Sequence, residues 1–280
     1  MTCREAVEAG TRELARAGVP EPEWDALCLW EKASGMERAR YLTHRGEAAQ
    51  ADWLEAYQSL IRQRARRIPL QHLTGEVWFM GLPFTVNEAV LIPRPETELL
   101  AELVLRETAG QQDLRLLDMC TGSGCLAVSL AALGHFGKVA AADLSSEALA
   151  VARGNAARNG CQVEFFQSDL FAGLPPERYQ VLVSNPPYIP TGQLAELMPE
   201  VRDHDPRMAL DGGADGLTFY RRLARESRDF LAPGARIYWE IGWDQGEAVR
   251  RILAETGFQN LRVLPDLAGQ DRMVTGEWIC

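Results

Sequence analysis

The chain has 280 residues, more than one small core needs and suited to two domains at roughly 100–200 residues apiece. Apolar residues make up 46% and charged residues 24%, which excludes a disordered chain or a coiled coil, and no apolar run approaches the ~20 residues of a membrane helix. Net charge is −10; residues 1–75 carry equal numbers of cations and anions, so the excess sits on the remainder, whose acidic surface argues against general binding to a phosphate backbone.

The opening Met1-Thr2-Cys3-Arg4-Glu5 is polar and lacks an apolar leader core, which predicts a cytoplasmic protein. Thr2-x-x-Glu5 fits a capping box that starts a helix. Pro20-x-Pro22 breaks the chain, and Trp24, Leu27, Cys28 and Trp30 restart a helix with one apolar face. A longer helix is predicted from about Ala48 to Arg67, with Trp53, Leu54, Tyr57, Leu60 and Ile61 at three-to-four spacing. No strand pattern intervenes, so residues 1–74 read as a helical bundle. Its last turn holds Arg62, Arg64, Arg66 and Arg67, read here as a solvated helix end whose cations complement the dipole rather than as a patch for an anionic partner.

Residues 75–95 change character. Val77-Trp78-Phe79-Met80 and Phe84-Thr85-Val86 flank Gly81-Leu82-Pro83 as a β-hairpin, and Leu91-Ile92-Pro93-Arg94-Pro95-Glu96-Thr97-Glu98 leads from a proline-restricted stretch into a helix. This segment reads as a connector with the hinge within it. From residue 96 onward, apolar runs at Leu114–Leu117, Val139–Ala142, Val163–Phe166, Val181–Val183 and Ile237–Trp239 alternate with helical stretches, the pattern of an α/β doubly wound parallel sheet. Leu261–Leu264 and Met273–Trp278 follow with no helix between them, so the last strand is expected to run antiparallel.

The six cysteines (Cys3, Cys28, Cys120, Cys125, Cys161, Cys280) form no C-x-x-C pair and no zinc spacing, and the four histidines are scattered. No metal site is expected. The cysteines read as reduced, mostly buried small residues.

Leu116 to Ala127 reads as a strand, a glycine-bearing turn and a helix start. Gly122-x-Gly124-x-x-Ala127, with Asp143 ending the next strand, satisfies the fingerprint of a dinucleotide site in which the acid binds a ribose hydroxyl. Both S-adenosylmethionine and a nicotinamide dinucleotide present an adenosine ribose, so the loop by itself indicates an adenosine cofactor without choosing between them. Asp169, after the third strand, either accepts from an adenine amino group or caps a helix.

Val183-Ser184-Asn185-Pro186-Pro187-Tyr188 stands at the carboxyl end of the fourth strand, the edge where such sheets bind ligands. Two prolines fix two φ angles and push Asn185 into an extended conformation. The Asn185 side-chain oxygen and the Pro186 carbonyl then offer a rigid acceptor pair, suited to gripping both N–H bonds of a planar –NH2 and aiming its lone pair at an electrophile. Tyr188 can pack against the flat group and exclude water. Methyl transfer fits such a site, because alignment is the main thing the protein must supply.

Asn185 to Tyr188 after a glycine loop resembles the amino-group methyltransferases that use S-adenosylmethionine. Pro69 to Gly75, Leu91 to Glu98, Ala209-Leu210-Asp211-Gly212-Gly213-x-x-Gly216-Leu217, Glu240-Ile241-Gly242-x-x-Gln245 and Asp266 to Arg272 narrow the resemblance to the peptide chain release factor glutamine methyltransferases (the PrmC/HemK type). It covers residues 65–280 strongly and the bundle more loosely.

The resemblance implies a seven-stranded class I methyltransferase sheet over residues 96–280, behind a helical substrate-recognition bundle. It implies N5-methylation of the glutamine in the Gly-Gly-Gln loop of class 1 release factors. Carried over, Cys120, Thr121, Gly122, Ser123 and Gly124 would line the methionine part of the cofactor, Asp143 the ribose, and Asp169 and Leu170 the adenine. Asn185, Pro186, Pro187 and Tyr188 would hold the substrate amide, with Asn185 also bordering the cofactor. Cys120 stands where the family usually opens the loop with glycine, and Asp205-Pro206 where it more often has Glu-Pro.

Alternatives of other kinds explain less. A sister enzyme modifying a ribosomal-protein glutamine shares the same active-site motif. An N6-adenine methyltransferase shares the acceptor logic but needs a nucleic-acid surface. A nicotinamide oxidoreductase leaves Asn185 to Tyr188 unexplained, and a non-enzymatic adaptor fits neither motif.

Overall fold

A computed structural model describes residues 1–279. Cys280 lies outside the described residues; the other five cysteines are free thiols. The chain divides into two compact units, one formed by Met1–Glu76 with Met198–His204, the other by Val77–Leu197 with residues 205–279.

The first unit is helical, with helices at Cys3–Arg16, Pro22–Ser34, Arg38–His44, Ala51–Ala65 and Leu70–Thr74. The capping box forms as expected: the Thr2 hydroxyl accepts from the Glu5 N–H and the Glu5 carboxylate from the Thr2 N–H. Trp30 is the centre of the core, edge-on to Tyr57 with ring centroids 5.3 Å apart and to Trp53 at 6.3 Å.

The arginines at the end of the Ala51–Ala65 helix correct the expectation of a solvated helix end. Arg62 and Arg66 are exposed, but Arg64 is 5% exposed. Its Nε donates to Asp25 Oδ2 at 2.6 Å and its Nη2 to Glu200 Oε1 at 2.9 Å. Arg67 makes a two-pronged contact with the same Glu200 at 2.6 Å. Glu200 comes from the short helix Pro199–Arg202, which joins this unit from far along the chain. Burial works against its charge, yet the Arg67 and Arg64 guanidiniums outweigh that and hold its carboxyl below the usual range. Two cations meeting in a buried place need such a partner, since an uncompensated buried charge is costly.

From Glu76, the last residue of the first unit's main stretch, the chain forms a hairpin of β1 (Glu76–Phe79) and β2 (Leu82–Thr85). Met80 and Gly81 both take positive φ, +53° and +74°, the geometry of a tight two-residue hairpin turn. The main sheet follows: β3 (Leu114–Met119), β4 (Phe136–Asp143), β5 (Glu164–Gln167), β6 (Tyr179–Ser184), β7 (Leu231–Glu240), β8 (Gln259–Pro265) and β9 (Asp271–Trp278). Its order is β5-β4-β3-β6-β7-β9-β8; β3 to β7 are parallel, and β9 runs antiparallel to both neighbours. This is the seven-stranded, doubly wound sheet with an antiparallel last strand expected from the sequence. Successive strand residues feed two cores: Leu117, Met119, Leu182, Ile237 and Trp239 one face, Leu116, Val139, Val181, Val183 and Tyr238 the other. The strand order reverses between β3 and β6, and ligands bind at such a switch point. None of the helices among the described residues is long and apolar enough to cross a membrane.

Candidate active site

A cleft of about 250 Å³ opens at the carboxyl ends of β3 to β6, at the small end of ligand cavities. The loop after β3 and the turn after β6 face it from either side of the switch point. Cys120, Thr121, Gly122, Ser123, Asp143, Asp169, Leu170, Asn185 and Pro187 all line it, so the structure gathers most of the sequence-derived candidates in one place. Gly124, Pro186 and Tyr188 are not among the lining residues.

The glycine loop is held from below. Asp118, fully buried at the end of β3, accepts from the Thr121 hydroxyl at 2.5 Å and from the Ala127 N–H at 3.1 Å. Burial pushes its carboxyl up to about 7, although Thr121 and the Ala127 N–H favour the charged form. Asp143 Oδ2 accepts from the Gly122 N–H at 2.8 Å and Oδ1 from the Ser145 N–H at 2.9 Å. Burial also raises the Asp143 carboxyl above its ordinary value, opposed by those backbone donors.

Gly122 has φ +54°, and a Cβ placed there would meet no protein atom within 4 Å. Its bare backbone therefore admits a ligand. Gly124 answers a different need: a Cβ there would sit 3.0 Å from Ala152 Cβ, so it lets the helix Cys125–Leu133 approach the helix Ser146–Arg158. Cys120 takes φ +62°, the left-handed region that glycine enters freely and other residues at a cost of roughly 1–2 kcal/mol. That is the physical reason glycine suits this position.

Asp169 takes no part in capping a helix; a turn follows it, and its Oδ1 accepts from Arg222 Nη1 at 2.7 Å. Asn185 donates from Nδ2 to Thr97 Oγ1 at 3.2 Å, and the Thr97 hydroxyl donates to Glu240 Oε2 at 2.6 Å. Thr97 borders the same cleft, and a carboxamide whose nitrogen is committed to it keeps its oxygen free to accept from another donor. These residues suit an adenosine cofactor: an acid at the end of β4, the bare Gly122 backbone, apolar Leu144 and Leu170 beside the Asp143 and Asp169 positions, and the positive end of the Cys125–Leu133 helix.

The chain matches the PrmC N-terminal domain over residues 5–75 and the methyltransferase small domain over residues 95–200. It is 42% identical to the release factor glutamine methyltransferase of Deinococcus radiodurans over 274 residues, 98% of each chain. The protein belongs to the release factor glutamine methyltransferase family. Its counterpart in Geobacter sulfurreducens is 38% identical over 98% of this chain and 96% of that one. A methyltransferase from Pyrococcus furiosus, 18% identical, shares the fold at a TM-score of 0.54, covering 78% of this chain and 99% of that one.

In this family member the outlying sequence blocks brace the turn after β6. Gln245 Nε2 donates to the Tyr188 carbonyl at 2.8 Å, while its Oε1 accepts from the Gly242 N–H at 3.0 Å. The Gly212 N–H donates to the Ile189 carbonyl at 2.8 Å, and the Ile189 N–H to the Leu210 carbonyl at 3.0 Å. A Cβ on Gly212 would come within 2.8 Å of Tyr188 backbone atoms, so the loop lies directly on the turn. Tyr188 itself packs its ring against the core, where burial pushes its phenol up to about 12. Asp205 is buried and holds Arg94 at the cleft, Nη2 to Oδ2 2.7 Å.

Three residues escaped sequence reasoning. Thr97 and Glu240 lay inside recognised blocks, but nothing local pairs positions 143 residues apart. Asn155 is fully buried and bonds Thr85 N and O at 2.7 and 3.0 Å and the Ser123 carbonyl at 2.9 Å, tying hairpin to glycine loop. An amide on the inward face of a helix was the one available signal.

Proposed function

We propose that this chain transfers a methyl group from S-adenosylmethionine to N5 of a glutamine side chain, the glutamine of the Gly-Gly-Gln motif in class 1 peptide chain release factors. The observation that carries this reading is Asn185, which lines the cleft with its amide nitrogen drawn back onto Thr97. An acceptor facing the cleft is what a substrate carboxamide needs and what a nucleophilic hydroxyl or a hydride donor does not.

S-adenosylmethionine supplies a methyl group on a positively charged sulfur, a strong electrophile. Cys120, Thr121, Gly122 and Ser123 would border its methionine part, with Gly124 supporting them from behind. Asp143 would accept from the ribose hydroxyls, and Asp169 and Leu170 would border the adenine. The substrate nitrogen is a poor nucleophile because its lone pair is delocalised into the carbonyl. Asn185 Oδ1 and the Pro186 carbonyl oxygen would accept its two N–H bonds, orient it and favour pyramidalisation. Both acceptors bear harder on those N–H bonds as the nitrogen gains positive charge, so they stabilise the transition state more than the bound substrate. As the new N–C bond forms, the sulfur–methyl bond would break with its electron pair left on a neutral thioether sulfur, and one N–H proton of the substrate would leave to solvent.

Mass spectrometry of a class 1 release factor, after incubation with this protein and S-adenosylmethionine, tests the assignment. One added methyl group on the Gly-Gly-Gln glutamine is expected. A methyl group found only on a ribosomal-protein glutamine would reassign the partner, and one found only on adenine would overturn the amide chemistry.

A further inference from the structure

Beside Asn185 a buried polar chain is drawn from three elements, with Thr97 also reaching the cleft wall. Thr97 stands in the first turn of the helix Pro95–Thr108, Glu240 ends β7, and Asn185 follows β6. Thr97 and Glu240 are each 2% exposed. The Thr97 oxygen lies 2.6 Å from Glu240 Oε2 and 3.2 Å from Asn185 Nδ2. A hydroxyl has a single proton, and an ionised carboxylate can only accept. That proton therefore goes to Glu240, and Thr97 turns a lone pair toward Asn185. Asn185 must answer with its NH2 group, which leaves Oδ1 for the cleft.

We propose that Thr97 and Glu240 are positioning residues that set the direction of the Asn185 amide, so that the cleft receives an oxygen acceptor and not an NH2 donor. This rests on the acceptor role of Asn185 in the reading above, and it adds the origin of that role. The two orientations of a carboxamide have nearly the same shape, so packing alone selects between them weakly. A charge on Glu240, relayed through one hydroxyl, selects strongly.

The relay reverses if Glu240 takes a proton. A neutral carboxyl donates to Thr97, Thr97 then donates to Asn185, and the amide presents NH2 to the cleft. The groups around the carboxyl are Thr97 and Glu96 from the helix Pro95–Thr108, Arg272 from β9, Asn185 and Tyr188 from the turn after β6, and Cys125 from its helix. Tyr220 donates to the Glu240 main-chain carbonyl at 2.8 Å, and Arg94 acts on the neighbouring Tyr188. Burial pushes the carboxyl up to about 7; Thr97, Arg272 and Asn185 favour its charged form, while Glu96 opposes it. The charged, productive form is lost as pH falls through that value.

Single-turnover methylation of release factor, at saturating protein substrate and cofactor, tests the relay. Thr97→Val keeps the shape and removes the hydroxyl; about a 10²-fold loss of rate is expected at alkaline pH, with half-saturating substrate and cofactor affinity close to wild type. Thr97→Ser should restore most of that rate. The wild-type rate should fall tenfold per pH unit below about 7, and this limb should vanish in Thr97→Val. A wild-type rate in Thr97→Val, a loss that Thr97→Ser does not repair, or a flat wild-type profile across about pH 6–8 would each overturn the relay. Asn185→Ala keeps the two levels apart. If it is inactive while Thr97→Val is unaffected, the relay alone fails; if it is active, the acceptor reading beneath it fails.

Discussion

The loop after β3 and the turn after β6 border one cleft, yet they are held by different means. Between Met119 and Gly124 the chain bends through positive φ at Cys120, Gly122 and Gly124, and buried carboxylates of Asp118 and Asp143 anchor it by accepting its own donors. From Asn185 to Tyr188 the chain is stiffened by two prolines and pressed from behind by Gly212, Gly216 and Gln245. The first arrangement leaves bare backbone for a ligand to approach. The second brings the Asn185 side chain and Pro187 to the cleft, where the proposed substrate amide would meet them. In the proposed reaction, a loop anchored through its donors and a turn deprived of donors would divide the work of binding one reactant and orienting the other.

Substitutions can break that division. Asn185→Ala should have the largest effect, lowering methyl transfer by about 10²–10³-fold while isothermal calorimetry finds cofactor affinity little changed. A matching fall in cofactor affinity would mean the two loops are not functionally separate. Asp143→Ala should do the reverse, weakening cofactor binding by roughly 10–100-fold because an acceptor of charge-assisted hydrogen bonds is lost and the Gly122 and Ser145 N–H groups lose theirs.

Gly212→Ala would sharpen the account of the turn. The added methyl group meets Tyr188 backbone at 2.8 Å, so a stability loss of about 1–3 kcal/mol is expected by chemical denaturation, with catalysis reduced more than cofactor binding. The smallest change is expected for Cys120→Gly. It relieves the left-handed backbone but removes a half-buried side chain, so stability should stay within about 1 kcal/mol of wild type. Cys120→Val, β-branched at φ +62°, should be clearly worse by the same chemical denaturation.

The contrast also explains what was legible in the sequence. Both loops announce themselves locally, one by glycines between a strand and a helix, the other by adjacent prolines at a strand end. The parallel sheet and its antiparallel last strand follow from alternation and from the missing helix before β9, while the strand order came only with the fold. Partners far apart in the chain leave no such trace. Glu240 and Thr97 look like ordinary strand-end and helix-start residues until folding pairs them. Arg64 carries the same charge as exposed Arg62 and Arg66, and only Asp25 and Glu200 show why it alone is buried. Gly124 takes φ +79° and lies against Ala152, so left-handed backbone and helix packing both select the absent Cβ that the ligand-binding pattern also asks for.

Glu200 also bears on how the polypeptide is made. It reaches Arg67 across 133 positions of sequence, so the helical unit lacks its shared counter-ion until that stretch has left the ribosome. At about 5–20 residues per second this delay is on the order of ten seconds. The nascent bundle would spend that time with the Arg67 guanidinium unneutralised and Arg64 held by Asp25 alone, and a gene fragment ending at residue 76 would never acquire the missing carboxylate.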